Sequence, residues 1–143
     1  MRGASALLAL VTLTGCGGEG TPVERAPVCD VAVRAPEGFQ ALEAFRQEYF
    51  DHVGVRLGFR DPSGRELHTF AGIPGEFGEG LPAAGEVELA FGRVGVLSGA
   101  GRVWVVEWNE GGSCDPRAAL GNGFGREGFL AALEETGIAA GSG

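Results

Sequence analysis

Lysine is absent from the sequence, and basic residues are few. All 11 are arginines, scattered among 19 acidic residues, and the formal net charge is −8. Nucleic-acid binding needs a concentrated basic face that neutralises phosphates, and an anionic membrane surface repels a chain of this charge. The composition therefore predicts no nucleic-acid partner and no electrostatic attachment to membranes.

Several short motifs of known chemistries are absent too. The sequence has no C-x-x-C pair, no Cys/His cluster and no G-x-S-x-G, and its glycine-rich stretch over residues 72–82 matches neither the P-loop nor the G-x-G-x-x-G pattern. Its two histidines, His52 and His68, are each more typical of structural residues, although Asp51 adjoins the first. We therefore predict no catalytic residue, no metal and no cofactor. A hydrolase using Asp51, His52, Glu76 and Glu79 is a less favoured alternative.

Apolar residues and glycine are abundant. Hydrophobic residues make up 44% of the 143 residues, nine of them are phenylalanines, and 27 residues are glycines. That much apolar surface can offset chain entropy, and the length suits one domain. The glycines lack a collagen-like period and fall mostly at turns between short apolar runs, which indicates mainly β structure.

The first residues have the pattern of an export signal. After Met1-Arg2, an uncharged and mainly apolar run covers residues 4–13 and ends in small residues and Cys16. The run is too short for a bilayer span, which needs about 20 apolar residues. It therefore predicts a cleaved signal peptide over residues 1–15.

The letters LTGC at residues 13–16 resemble the lipobox of bacterial lipoproteins. The resemblance implies that Cys16 becomes the first residue of the mature chain and carries a diacylglycerol. Each buried methylene contributes about 0.8 kcal/mol, so two or three acyl chains anchor a protein firmly. The protein is then expected on the extracytoplasmic side of the cell membrane or outer membrane. An ordinary secretory signal with a chance cysteine is the alternative.

Residues 16–27 are glycine-rich and contain Pro22 and Pro27, so we interpret them as a flexible tether to a domain over residues 28–143. With Cys16 assigned to lipid, Cys29 and Cys114 remain as an even pair in an oxidising compartment. A disulfide between them is expected. Two buried free thiols or a metal site are the alternatives.

The clearest local pattern is a β-hairpin. Apolar residues alternate from Val53 to Phe59 and from Leu67 to Ile73, around the turn Asp61-Pro62-Ser63-Gly64. The turn sets a register in which Phe59 faces Leu67, Leu57 faces Thr69 and Val55 faces Ala71. The opposite face then carries Arg60 opposite Glu66, with His68 near Gly58.

Further strands are predicted around Val87 and Leu89, over Val94 to Leu97, over Val103 to Trp108 and over Arg117 to Leu120, with a turn at residues 98–102. The strand from Val103 is apolar on both sides and so is expected to be central. The segment from Phe39 to Phe50 fits a helix or an edge strand equally well.

The end of the chain is typical of a helix over Arg126 to Thr136. Gly125 suits the N-cap, Phe124 can pack on Phe129 as a hydrophobic staple, and Gly137 suits a left-handed C-terminal position. The predicted fold class is α+β, with a curved antiparallel β-sheet and the C-terminal helix packed on one face.

The loop over residues 72–82 is the other notable stretch. We interpret it as a connection between two parts of the sheet, with Phe77 and Leu81 in the core. If the domain has a ligand site, its candidate residues lie in this loop and on the outward side of the hairpin: Arg56, His68, Phe70, Glu76, Phe77 and Glu79.

The segments Trp108-Asn109-Glu110-Gly111-Gly112 and Gly121-Asn122-Gly123-Phe124, followed by a helix, resemble sheet-and-helix domains of uncharacterised bacterial lipoproteins. The resemblance implies an envelope protein with no assigned reaction. We therefore expect a lipid-anchored, non-catalytic binding or structural module whose protein or small-molecule partner is undetermined. A carrier or sensor that binds an apolar ligand on a curved sheet, with Trp104 and Trp108 in its wall, is the alternative.

Overall fold

A computed structural model describes residues 27–30 and 33–141. These residues form eight strands and one helix, in the order β1 (Gln40–Ala41), β2 (Phe45–Glu48), β3 (Val53–Arg60), β4 (Glu66–Ala71), β5 (Ala83–Glu88), β6 (Val94–Ala100), β7 (Val103–Trp108), β8 (Arg117–Asn122) and α1 (Arg126–Thr136). The predicted signal peptide, Cys16 and the tether up to residue 26 lie outside the described residues.

The strands form one sheet in the order β1-β3-β4-β8-β7-β6-β5, and β2 also pairs with β3. Every strand pairing is antiparallel. With the C-terminal helix, this architecture confirms the predicted α+β class. The strand β7 lies between β6 and β8, as its two apolar sides predicted, and Val105 and Val106 are both fully buried.

The β3–β4 hairpin has the predicted register, with Phe59 opposite Leu67 and Val55 opposite Ala71. Its turn is organised by the Asp61 carboxylate, which accepts hydrogen bonds from the backbone N–H of Arg65 at 2.8 Å and from the Arg65 guanidinium at 2.8 Å. The Ser63 hydroxyl donates a third bond at 2.8 Å. Burial alone would raise the pKa of Asp61, but the bonds from Arg65 and Ser63 outweigh it and lower that pKa to about 2.

The helix packs on one face of the sheet. Phe129 and Leu133 are fully buried there, in a core with Leu67, Leu97, Trp104, Val106, Trp108, Ala119 and Phe124. The edge-on contact of Phe124 with Phe129, with ring centres 6.2 Å apart, is the predicted staple. These contacts hold the short helix, because about ten residues are marginally helical alone.

Both ends of α1 match the sequence pattern. Gly125 is the N-cap, and Gly137 has a φ of 89°, in the left-handed region. The N–H of Gly137 bonds to the Glu134 carbonyl at 3.1 Å and that of Ile138 to the Leu133 carbonyl at 3.0 Å, which is a Schellman close. Tertiary structure adds Arg34, whose guanidinium donates to the Glu135 carbonyl at 3.2 Å. The cation complements the negative end of the helix dipole.

The structure resolves one open alternative and corrects one expectation. The segment from Phe39 to Phe50, which fitted a helix or an edge strand, contains the two short strands β1 and β2, and both pair with β3. The turn expected over residues 98–102 is reduced to Gly101 and Arg102, since Ser98, Gly99 and Ala100 continue the pairing of β6 with β7.

Gly121 is a sensitive position in this packing. A Cβ there would lie 2.5 Å from Cδ1 of Phe129 and 2.9 Å from Cδ2 of Phe124. We expect Gly121→Ala to destabilise the domain by about 1–3 kcal/mol, the usual cost of overpacking. Urea unfolding with the disulfide intact measures this change.

Gly128→Ala is the matched control, because the nearest atom to its added Cβ is 3.7 Å away and the position is helical. This variant should be neutral or more stable by up to about 1 kcal/mol, from helix propensity. Equal stability of the wild type and Gly121→Ala would contradict the proposed tight fit of helix on sheet.

Candidate functional site

The loop over residues 72–82 crosses the sheet. It connects β4 to β5, and β8, β7 and β6 lie between these strands. A Cβ at Gly78 would lie 3.0 Å from the Glu107 carboxylate and 3.2 Å from the Ser98 hydroxyl, so the loop lies on the face opposite the helix, which we call the outer face. This cover accounts for the full burial of Val105 and Ala118, which point to the outer face.

Part of the predicted ligand site comes together on this face. Arg56 is directly opposite Phe70 in the β3–β4 pairing. The Phe70 ring packs on Phe77 of the loop, with centres 4.4 Å apart. Phe77 therefore packs on the outer face and is not part of the buried core, where it was expected; Leu81 is half-buried.

Phe45 extends this group and was missed in the sequence. It is opposite Arg56 in the β2–β3 pairing, and the Arg56 guanidinium lies over its ring, 5.1 Å from the centre. Phe45 is placed there by the pairing of β2 with β3. The sequence of residues 39–50 fitted a helix and a strand equally well and so did not predict this contact. We call Phe45, Arg56, Phe70 and Phe77 the outer-face row.

The other predicted ligand residues are His68, on the same face as Phe70, and Glu76 and Glu79 of the loop. Nε2 of His68 is 2.8 Å from the Glu66 carboxylate, and its Nδ1 is buried without a hydrogen-bond partner, against Gly58. The hydrogen bonds from His68 and then from Arg60 lower the pKa of Glu66. Glu76 and Glu79 are exposed on the loop.

The second cluster surrounds the disulfide. Cys29 and Cys114, 85 residues apart, are bonded, as predicted, and Cys29 is buried. A Cβ at Gly72 would lie 2.6 Å from the Cys29 sulfur and 2.8 Å from the His52 ring. The start of the crossing loop is thus packed between the disulfide and a histidine.

His52 has both ring nitrogens engaged. Nε2 donates to the Gly72 carbonyl at 2.7 Å, and Nδ1 is 2.7 Å from the Asp51 carboxylate. Because both partners are acceptors, the doubly protonated ring satisfies this geometry. The hydrogen bond to Asp51, and then that to Gly72, raises the pKa of His52 against the opposing effect of burial, and the same bond lowers the pKa of Asp51. The ring also stacks on Tyr49, 4.8 Å between centres.

The geometry of His52 and His68 suits a structural role better than a role in proton transfer. A general base needs a ring nitrogen that can reach a substrate proton. In His52 and His68 the nitrogens are bonded within the protein or buried. Within residues 27–30 and 33–141, no group of three or more His, Cys, Asp or Glu side chains is arranged to hold a metal ion.

Comparison of the chain with protein-family models, with curated proteins and with solved structures gives no match. In the described part of the chain, α1 has 11 residues, and no helix has the length and apolar character needed to cross a membrane. Functional inference therefore depends on the two clusters themselves.

The ion pair of His52 with Asp51 predicts a pH dependence of stability. Because the pKa of His52 is raised above 6.5 in the folded state, its contribution is fully present below pH 6.5 and is lost as the pH rises through the folded-state pKa. The free energy of unfolding in urea, measured from pH 5.5 upward, should fall over this window.

His52→Gln should remove that fall, and Asp51→Asn should reduce it, since Asp51 is the main cause of the raised pKa. The lowered pKa of Asp51 adds no slope here, because its carboxylate stays ionised throughout the window. An unchanged slope in His52→Gln would refute this role for the ring.

Proposed function

We propose that this protein is a lipid-anchored, extracytoplasmic module of the bacterial cell envelope that binds a partner without catalysing a reaction. The observation that carries the proposal is the disulfide between Cys29 and Cys114. Disulfides persist in oxidising compartments and are rare in the reducing cytosol, so this bond supports export. The pairing does not involve the third cysteine, Cys16.

The anchor is proposed at Cys16, after removal of residues 1–15. A tether from this anchor would lead directly into the sheet, since Pro27 accepts a hydrogen bond from the N–H of Val53 at 2.9 Å and Val28 pairs with Val53. The disulfide at the next residue holds this entry point in place. A pull on the tether therefore acts on a cross-linked part of the domain.

The binding surface is proposed to be the outer-face row. Aromatic residues and arginine contribute most often to the binding energy of protein interfaces, and Phe45 and Arg56 are exposed. Phe70 and Phe77 are held by their mutual contact, so little ordering is needed on binding. A protein of the envelope with an apolar and acidic patch suits these side chains.

The alternative is a carrier of an apolar ligand. It is favoured by an open groove of about 480 Å³ lined by Val94, Val96, Glu107, Trp108, Asn109 and Pro116. The predicted curvature of the sheet would deepen such a groove. Trp104 and Trp108, however, are buried in the core under the helix, so the two side chains offer little surface to a ligand. Native mass spectrometry of gently purified protein tests it, since a carrier would retain a ligand.

The anchor predicts a defined mature N-terminus. Full-length protein expressed in a bacterium should lose residues 1–15 and gain the mass of a diacylglycerol on Cys16, with or without a further acyl chain, because the lipobox directs both steps. Intact-mass analysis of membrane and soluble fractions measures this product. The Cys16→Ala variant should carry no lipid. An unmodified Cys16 in the wild type, or a leader peptide that is still attached, would refute the anchor.

The outer-face row predicts site-specific crosslinking. A photoreactive benzoyl-phenylalanine in place of Phe45 should capture a discrete envelope protein in cells. The same residue in place of Ala131, which is exposed on the helix on the other side of the sheet, should not capture that protein. Arg56→Glu should reduce the Phe45 adduct by most of its yield. Equal adducts from both positions, or none from Phe45, would contradict this surface.

A further inference from the structure

The entry point of the chain lies at one definite end of the sheet. The pairings align Val55 with Ala71, Ala71 with Arg117 and Arg117 with Trp108, so the start of β3 lies beside the end of β4, the start of β8 and the end of β7. The end of β5 and the start of β6 lie at this same end. We call it the entry end, because Val28 joins the sheet there through Val53.

Large apolar side chains are exposed at the entry end. Phe50, in the turn between β2 and β3, is fully exposed, and Phe91, between β5 and β6, is 46% exposed. Val28 and Val94 are each more than half exposed. At the opposite end the turns contain Pro62-Ser63-Gly64, Gly101-Arg102 and Gly123. Among the described residues, no exposed large hydrophobic side chain lies at that end.

Both aromatic residues sit on ordered turns. The turn of Phe50 is closed by the hydrogen bond from the Tyr49 N–H to the His52 carbonyl at 2.8 Å, and His52 is itself fixed to Gly72. The turn that contains Phe91 is closed by the hydrogen bond from the Leu89 N–H to the Arg93 carbonyl at 2.7 Å. The Phe91 ring packs on Trp108, with ring centres 6.0 Å apart. The two rings are therefore presented to solvent by a rigid frame.

We propose that the entry end rests on the lipid bilayer, with Phe50 inserted among the lipid headgroups and Phe91 and Val28 beside the interface. The proposal rests on the proposed anchor at Cys16. The tether from Cys16 to Val28 spans at most about 40 Å when extended and about 20 Å as a random coil. The lipid surface is therefore always close to this end, and contacts too weak to bind a free domain become effective when they are intramolecular.

The charges at the entry end suit a zwitterionic surface. Asp51, beside Phe50, is paired with His52, and Arg117 lies 3.4 Å from Asp115 and 3.6 Å from Glu110. Glu48 and Glu88, also at this end, are exposed and form no ion pair within the described residues, so an anionic membrane would repel this end and a neutral one would not. The contact is therefore made by apolar side chains on separate turns, since β4, β8 and β7 lie between the strands next to Phe50 and Phe91.

Tryptophan quenching tests this orientation. The full-length lipidated protein is reconstituted in phosphatidylcholine vesicles with brominated acyl chains, as Phe50→Trp and, for comparison, as Gln40→Trp. Gln40 is exposed and pairs with Arg60 at the opposite end of the sheet. The native Trp104 and Trp108 are buried and are the same in both variants. The fluorescence of the tryptophan at position 50 should be blue-shifted, and the brominated chains should quench most of it. The fluorescence of the tryptophan at position 40 should be unchanged.

Three other outcomes would overturn the proposed orientation. If mass analysis shows a diacylated Cys16 but neither tryptophan is quenched, or both are quenched equally, the orientation is wrong and the anchor stands. Protection of the position 50 tryptophan only when envelope proteins are added would assign the entry end to a protein partner and would also overturn the proposal. An unmodified Cys16 would overturn both the anchor and the orientation.

Discussion

The pairing of β4 with β8 is the constraint on which the rest of the structure depends. It joins the hairpin of β3 and β4 to the strands that follow the crossing loop, and it places Leu67 opposite Gly121 and Thr69 opposite Ala119. The small residues of β8 leave room for Phe129 of the helix, so the same pairing forms the surface on which α1 packs. Without it, neither the helix nor the loop has a sheet to cover.

That strand order also determines how the two faces are covered. Because β8, β7 and β6 separate β4 from β5, the loop must cross the outer face, while the helix covers the other. The start of the loop is then held by His52 and the disulfide. Both histidines, His52 and His68, form hydrogen bonds to neighbouring groups of the protein, as expected from the sequence for structural residues.

The two proposed surfaces are compatible in space. The outer-face row lies on a broad face of the sheet, and the entry end lies at the strand ends. A domain standing on its entry end keeps the outer-face row at its side, open to a partner within the envelope. The rigid turn of Phe50 would restrict rotation on the tether and so lower the entropy lost when that partner binds.

The sequence by itself determined the β3–β4 register, both ends of α1 and the central position of β7, and it favoured a bond between Cys29 and Cys114 over free thiols or a metal site. Each follows from local alternation, from turn or cap chemistry, or from counting, and needs no knowledge of distant neighbours. Only the tertiary structure decided the strand order, the identity of β1 and β2, the position of Phe77 on Phe70, the contact of Phe45 with Arg56 and the clamping of Gly72 by His52. These features join segments far apart in the chain, and many pairings compatible with the same local pattern differ only in how well the buried side chains fit together.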